Sequence, residues 1–323
     1  MQGDDGSNEA AGAPALPQPA RIAAARRRAA REAGRIRLRV GRRVGIAAMI
    51  AAMAYDPSRY WGDLHRRDDL SAVGQSALPA AFNRWLYRVL ARRLAGIVRR
   101  HRIGRPARVF EVGAGTGYWV DWWLARGASR IDGCDLVPEA VARLTARYDP
   151  ARVGIRVADV GDPAGLGDGG YDLVDCHNVL LHVTDDAAFA RALRNVGRLV
   201  APGGHLLMTE PILLRPEFLR PYDPAKHSRA RLLADYAGPL EAVGLELVSI
   251  EASTVLGNNP MEAGSPAALA RAQRWWSFVA RRVKRRRAWC ELLGAAIYLA
   301  DPIALRTGAA PTTKVAVFRR PGA

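Results

Sequence analysis

The chain predicts an α/β protein built on a mostly parallel sheet with helices on both faces. Two observations lead there. From residue 108 onward, short apolar runs alternate with segments of helical periodicity, and short apolar strands separated by helices imply a parallel sheet covered on both sides. The first of these runs ends in a carboxylate and three alternate glycines, in Val109-Phe110-Glu111-Val112-Gly113-Ala114-Gly115-Thr116-Gly117, and opens directly into a helix. An apolar share of 49% over 323 residues leaves room for a large core.

In chain order, the strand candidates are Arg108–Val112, Arg130–Cys134, Gly154–Val157, Tyr171–Asn178, His205–Glu210, Leu245–Ser253 and Lys314–Arg319. Helices fit at 119–126, 138–147, 185–200 and 226–243, the third closing at Pro202-Gly203-Gly204. Residues 105–323 therefore read as one domain, with a helical insertion at about 257–310. In front lies a helical cap, 55–104, where Trp85, Leu86, Val89, Leu90, Leu94 and Ile97 recur at helical spacing before Gly104-Arg105-Pro106. Residues 21–54 suit a basic helical extension and 1–20, rich in Gly, Ala, Pro and Asp, a disordered tail. The apolar run Val44 to Ala54 is too short to cross a bilayer, and no transmembrane span is expected. Arg42-Arg43 before that run resembles a signal peptide in miniature, but it starts over forty residues in.

The net charge of +17 is unevenly placed. Residues 21–43 carry ten Arg against one Glu, and residues 271–287 seven Arg and one Lys, so these two segments account for all of it. Three cysteines, Cys134, Cys176 and Cys290, show no CxxC spacing, which argues against a disulfide framework or a metal site and for a cytoplasmic setting.

Taken alone, the glycine turn suits either a dinucleotide or a nucleoside cofactor. Glycine lets the backbone turn sharply and approach a ligand, and the helix start adds free N–H groups. The dinucleotide fingerprint wants a small residue at its sixth position, and Tyr118 stands there. The E-x-G-x-G-x-G pattern instead resembles the class I S-adenosylmethionine (SAM) dependent methyltransferases, over residues 105–212 closely and 226–319 loosely. Asp135, 22 residues after Gly113 in Ile131-Asp132-Gly133-Cys134-Asp135-Leu136, matches that family, as do Asp159 in Val157-Ala158-Asp159-Val160 and Pro202-Gly203-Gly204 before the fifth strand. The resemblance implies a Rossmann-like three-layer sandwich: a mostly parallel seven-stranded sheet whose last strand is antiparallel.

It also implies roles. Asp135 would accept from the ribose hydroxyls, Leu136 would pack beside the adenine, and Asp159 would accept from its amino group. Glu111, Gly113 and Gly115 would line the methionine end, with Ala114, Gly117, Val160 and Asn178 completing the cofactor site. Trp119 and Trp61 could face the sulfonium as cation–π contacts. The glycine turn itself carries no basic partner, as suits a cofactor without phosphate.

Methyl transfer to a hydroxyl needs positioning and a proton acceptor. The base candidates are His177, His182, Glu210 and His227. His182 is the best placed, just past the fourth strand at the carboxyl edge of the sheet, where open α/β sheets bind ligands. Two further segments are expected over the acceptor: the cap stretch with Tyr60 and Trp61, and the stretch after the fifth strand with Tyr222, His227 and Arg229. Glu210 is expected beside them, at the cleft or as a loop anchor.

Three functions compete. The first is methylation of a small molecule, most readily at a hydroxyl of a secondary metabolite or sugar. The second is methylation of RNA or another nucleic acid, which the basic segments favour but the absence of an N/D-P-P-Y/F motif at Asn178-Val179-Leu180-Leu181 and of a Pro-Cys nucleophile disfavours. The third is a SAM-domain protein docked on a membrane or partner, for which Trp275, Trp276, Val279 and Val283 form one helical face among arginines. Packing of that face on the core, with a solvated basic side, is the preferred reading. No metal is expected.

Overall fold

The computed structural model describes residues 55–307 and 312–322. The expectations for residues 1–54 lie outside the described residues. The cap comprises α1 (Pro57–Leu64), α2 (Leu70–Val73) and α3 (Ala80–Arg100). Asp56 caps α1 by accepting the Arg59 N–H, with Pro57 at the first helical position. The alternating region runs β1 (Arg108–Val112), α4 (Tyr118–Leu124), β2 (Arg130–Asp135), α5 (Pro138–Arg147), β3 (Val153–Val157), β4 (Tyr171–His177), α6 (Asp186–Leu199) and β5 (Val200–Leu213). Then follow β6 (Arg231–Leu232), α7 (Leu233–Glu241), β7 (Glu246–Ala252), α8 (Pro266–Val283), α9 (Arg287–Leu305) and β8 (Thr313–Arg319).

The main sheet has the order β3-β2-β1-β4-β5-β8-β7, with β6 paired to the far end of β5. Strands β1 to β5 pair in parallel, and β8 runs antiparallel to both neighbours. This is the expected seven-stranded arrangement, with β6 added as a two-residue ladder. Chain order reverses between β1 and β4, the switch point at which open α/β sheets form a crevice.

Two cores cover the two sheet faces. On one, Phe189, Leu193 and Val196 of α6 and Tyr236 and Leu240 of α7 pack on Phe110, Val174, Leu206 and Phe318. On the other, Leu94 and Ile97 of α3 and Trp119, Val120 and Trp123 of α4 pack on Val109, Ile131, Leu173 and Val317. A third cluster joins cap to insertion: Phe82 and Val89 of α3 meet Trp276, Val279 and Val283 of α8 and Cys290, Leu293 and Ile297 of α9. The Trp276-Val279-Val283 side of α8 therefore packs inward, and Trp275 donates its indole N–H to the Leu256 carbonyl.

The structure departs from the sequence reading at three places. The helix expected over 226–243 begins only at Leu233. Arg231 and Leu232 are held extended as β6: the Arg231 guanidinium donates to Asp186 and to the carbonyls of Val183 and Thr184, and it lies over the Phe189 ring. Strand β5 extends well beyond 205–210, since Val200 pairs with Tyr171 ahead of a bulge and Leu213 pairs with Leu232 behind. Finally, α9 is long and apolar enough to cross a membrane by length and composition, which the sequence reading did not anticipate. Here one side of it packs on α3 through Leu293, Gly294 and Ile297.

The loop after β5 is fastened by a buried ion pair. Lys314 donates to Glu262 and to the Ile212 carbonyl, and Glu262 accepts the N–H groups of Leu214 and Arg215. Both side chains are buried. Removing one member of such a pair strands the other charge. Lys314→Met is expected to lower the unfolding free energy by about 3–5 kcal/mol, read from urea denaturation; a loss below about 1 kcal/mol would show the pair to be dispensable.

Candidate functional site

A cavity of about 570 Å³ opens at the carboxyl ends of β1 and β4, within the range of small-molecule sites. The glycine turn forms its floor. The N–H groups of Gly113 and Ala114 donate to the Cys134 carbonyl at 2.8 and 3.0 Å. The Gly115 N–H donates to Asp135 Oδ2 at 2.8 Å, and the Val137 N–H to Oδ1 at 2.9 Å. Gly113 and Gly115 hold φ of +72° and +55°, a region that side chains rarely adopt. A Cβ on Gly113 would lie 2.5 Å from Val179, and one on Gly115 2.7 Å from Val73.

Gly113, Ala114, Gly115, Trp119, Asp135, Leu136, Asp159, Val160 and Asn178 all line the cavity, together with Trp61 and His182. Asn178 closes β4 in the left-handed region, φ +57°, and so turns the chain along the cavity wall. Trp119 is 6% exposed, tilted against the His177 ring and stacked on Tyr87, so it serves the core as well as the wall. The cavity lining includes four carboxylates, Asp135, Asp159, Asp162 and Asp185, against one guanidinium, Arg191. That balance suits a cationic ligand, and a cradle that a Cβ would fill suits close backbone approach. Both fit SAM.

Two expected cofactor residues lie elsewhere. Gly117 sits behind the wall, where a Cβ would meet Leu144 and the Tyr148 hydroxyl at 2.7 Å; it serves the packing of α4 on α5. Glu111 is buried beneath the turn and does not reach the cavity surface. Burial, reinforced by the neighbouring Asp175 carboxyl, holds its carboxyl well above the usual range. Asp175 accepts the Trp123 indole N–H at 2.7 Å, and His177 Nε2 stands 2.9 Å from its other oxygen, off the hydrogen-bond direction. The other His177 ring nitrogen lies 2.8 Å from Thr209 Oγ1.

The expected acceptor residues divide. An aromatic group covers the cavity: Trp61 meets His182 edge-on at 4.6 Å, His182 stacks near His227 at 5.6 Å, and Tyr60 stacks on His227 at 4.5 Å. Tyr60 and His227 back this wall, whereas Tyr55 and Trp61 face the cavity, joined by an indole-to-hydroxyl hydrogen bond of 3.0 Å. Tyr222 turns away to donate to the Lys226 carbonyl. Arg229 is committed to Asp186 and the Thr184 carbonyl, which pins the loop rather than a ligand. Glu210 is a loop anchor: it is fully buried and accepts the N–H groups of Val179, Leu180 and Leu181 at 2.8–3.0 Å.

His182 is held by that anchored turn. Its Nδ1–H donates to the His227 carbonyl at 2.6 Å, which leaves the lone pair on Nε2. Burial pushes its pKa down to about 4, so the ring is neutral at physiological pH. The sequence reading missed His65, Val73 and Tyr87, which bring the cap to the cavity. Only their helical context was visible, because the contact is between elements distant in sequence.

Burial raises the Glu210 carboxyl from 4.5 to about 7, against the pull of its three N–H donors. Between those values the folded state holds a proton that the unfolded chain has released. This contribution to stability is therefore full below pH 4.5 and fades as pH rises to 7. Glu210→Gln sets an amide nitrogen against a backbone N–H. It is expected to cost about 1–3 kcal/mol and to flatten that pH dependence, both measurable by denaturation across pH; an unchanged profile would refute the assignment.

Residues 109–204 match the family model described as a methyltransferase domain. The ubiquinone biosynthesis O-methyltransferase of Xanthomonas oryzae pv. oryzae (strain PXO99A) is 38% identical over 105 residues, 32% of this chain and 42% of that protein. The protein of the same name from Xanthomonas campestris pv. campestris (strain B100) is 37% identical over 111 residues, 33% of this chain and 45% of that one. The chain thus spans less than half the length of these curated relatives. Among solved structures, the [4+2]-cyclase SpnF is similar with 20% identity and a TM-score of 0.47, over 72% of this chain and 82% of that one. A SAM-dependent methyltransferase from Mesorhizobium loti is similar with 19% identity and a TM-score of 0.42, over 68% and 92%. Residues 109–204 are thus similar to a methyltransferase domain, and they carry strands β1 to β4 and the start of β5 of the parallel sheet.

Proposed function

We propose that the protein transfers a methyl group from SAM to a hydroxyl oxygen of a small molecule, with His182 as the general base. The observation that carries this reading is the fixed tautomer of His182 on the cavity wall, neutral and with its lone pair on Nε2. SAM supplies an electrophilic methyl carbon on a positively charged sulfur. The acidic lining favours that charge, Asp135 and the glycine turn orient the nucleoside, and Asp159 borders the far end. His182 Nε2 takes the acceptor proton as the oxygen attacks, while Trp61, Tyr55 and the Tyr60–His227 stack keep water from the reacting atoms. The curated relatives' name, an O-methyltransferase, supports oxygen as the attacking atom. The aromatic wall and the commitment of Arg229 to protein partners favour an acceptor with an apolar ring over a sugar or an acid.

His182→Ala should lower kcat by about 10²–10⁴-fold and leave SAM affinity within twofold, measured by calorimetry. Since His182 titrates near pH 4, kcat/KM of the wild type should stay level from pH 8 to about 5 and fall below it as the ring gains its proton. A fully active His182→Ala enzyme would remove His182 as base. Asp135→Ala, which takes away the side-chain anchors of Gly115 in the turn and of Val137 before α5, should weaken SAM binding by at least about tenfold, as one or two lost hydrogen bonds imply; equal affinity would overturn the cofactor assignment. The acceptor itself is found by presenting labelled SAM and fractionated extract: a product of low mass resistant to nuclease supports this reading, and a nuclease-sensitive one refutes it.

A further inference from the structure

We propose that the outer side of α9, with the basic turn before it, is a docking face for an anionic lipid bilayer. Leu292, Leu299 and Ile303 are 60%, 70% and 67% exposed, the most exposed large apolar side chains among the described residues. At about 100° per residue, these three and the exposed Ala296 fall within an arc of about 60° on one side of the helix. Its opposite side is the one that packs on α3 through Leu293 and Ile297. The helix therefore lies along the surface with an apolar stripe outward, while its acids are turned away. Asp301 is buried, accepting from Thr254, Val255 and Leu256, and Glu291 accepts the Trp85 indole N–H.

Charge identifies the occupant. Between Glu262 and Glu291 the chain has eight cations and no acid. Arg281, Lys284, Arg285, Arg286 and Arg287 are exposed around the α8–α9 turn, at the start of the apolar stripe. Arg282 lies over the rings of Phe278 and Trp289, aromatic groups of the kind that settle at a headgroup boundary. An apolar stripe next to a polybasic turn is the pattern of an interfacial helix on anionic lipid. A second copy of the chain would bring the same eight cations to the contact, and the chain's own segment 21–43 carries the same sign. Neither complements the face as an acidic headgroup layer does. The Trp276-Val279-Val283 side of α8 is buried, as preferred from sequence over a lipid-facing role, and the exposed apolar side belongs to the next helix.

The test is co-sedimentation of the full chain with vesicles of phosphatidylcholine, alone and with phosphatidylglycerol added. Binding is expected only with phosphatidylglycerol, and it should weaken steeply as salt shortens the screening length. The double variant Leu299→Glu/Ile303→Glu and, separately, Arg285→Glu/Arg286→Glu should each reduce it by at least about tenfold, with melting temperatures unchanged because all four side chains are exposed. The second pair decides if the first lowers the melting temperature. Equal binding to neutral vesicles, wild-type binding by both variants, or no sedimentation with either lipid would overturn the proposal. So would a dimer that Leu299→Glu/Ile303→Glu dissolves without any vesicle binding, which would assign the face to a second copy.

Discussion

The cavity depends on a single carboxylate. Asp135 ends β2 and uses one oxygen on the Gly115 N–H and the other on the Val137 N–H. The first bond sets the glycine turn after β1, and the second sets the start of α5. A backbone passing through left-handed conformations at Gly113 and Gly115 has few internal hydrogen bonds with which to hold its course. The neighbouring strand end provides them, through the Asp135 side chain and the Cys134 carbonyl. Each carboxylate oxygen keeps a further lone-pair direction, so the residue that builds the floor can also face a ligand.

The opposite wall is built on the same logic with different parts. Glu210, in the second half of β5, gathers three successive N–H groups of the turn that carries His182. The turn is short, and without this carboxylate those donors would be buried unsatisfied. The His227 carbonyl then fixes the ring, and Trp61 from the cap closes over it. Three segments far apart in sequence thus determine one imidazole's orientation. Arg229 and Arg231, both bound to Asp186, hold the loop that supplies the His227 carbonyl.

The parts legible in the sequence were those with local causes. Alternating apolar runs gave the sheet strands, and the glycine spacing with Asp135 and Asp159 located the crevice. The extended residues at Arg231 and Leu232 were not legible, because the partners that straighten them lie 45 or more residues away on α6 and the turn before it. The position of Glu111 below the turn was equally hidden: strand alternation places it on one side of β1, but only the packed Asp175 and Trp123 show that side to be dry. The cap residues His65, Val73 and Tyr87 carry no motif, and their place at the cavity follows from how α2 and α3 dock. Tyr222 and Arg229 looked like ligand groups because polar loops often are; here the loop uses them on itself.

The position of β8 has a consequence for how the sheet is assembled on the ribosome. It lies between β5 and β7, yet it follows both in the chain and comes after the whole α8–α9 hairpin. Throughout synthesis of about a hundred residues after β5, that strand has an open edge, and β7 has no neighbour in the sheet. Pairing Leu207 with Val317 closes a very long loop, which is entropically slow. A nascent chain in this state exposes an apolar strand edge of the kind that pairs wrongly with other chains. The sheet is therefore completed only once its last strand is made, and one strand closes the two edges left open until then.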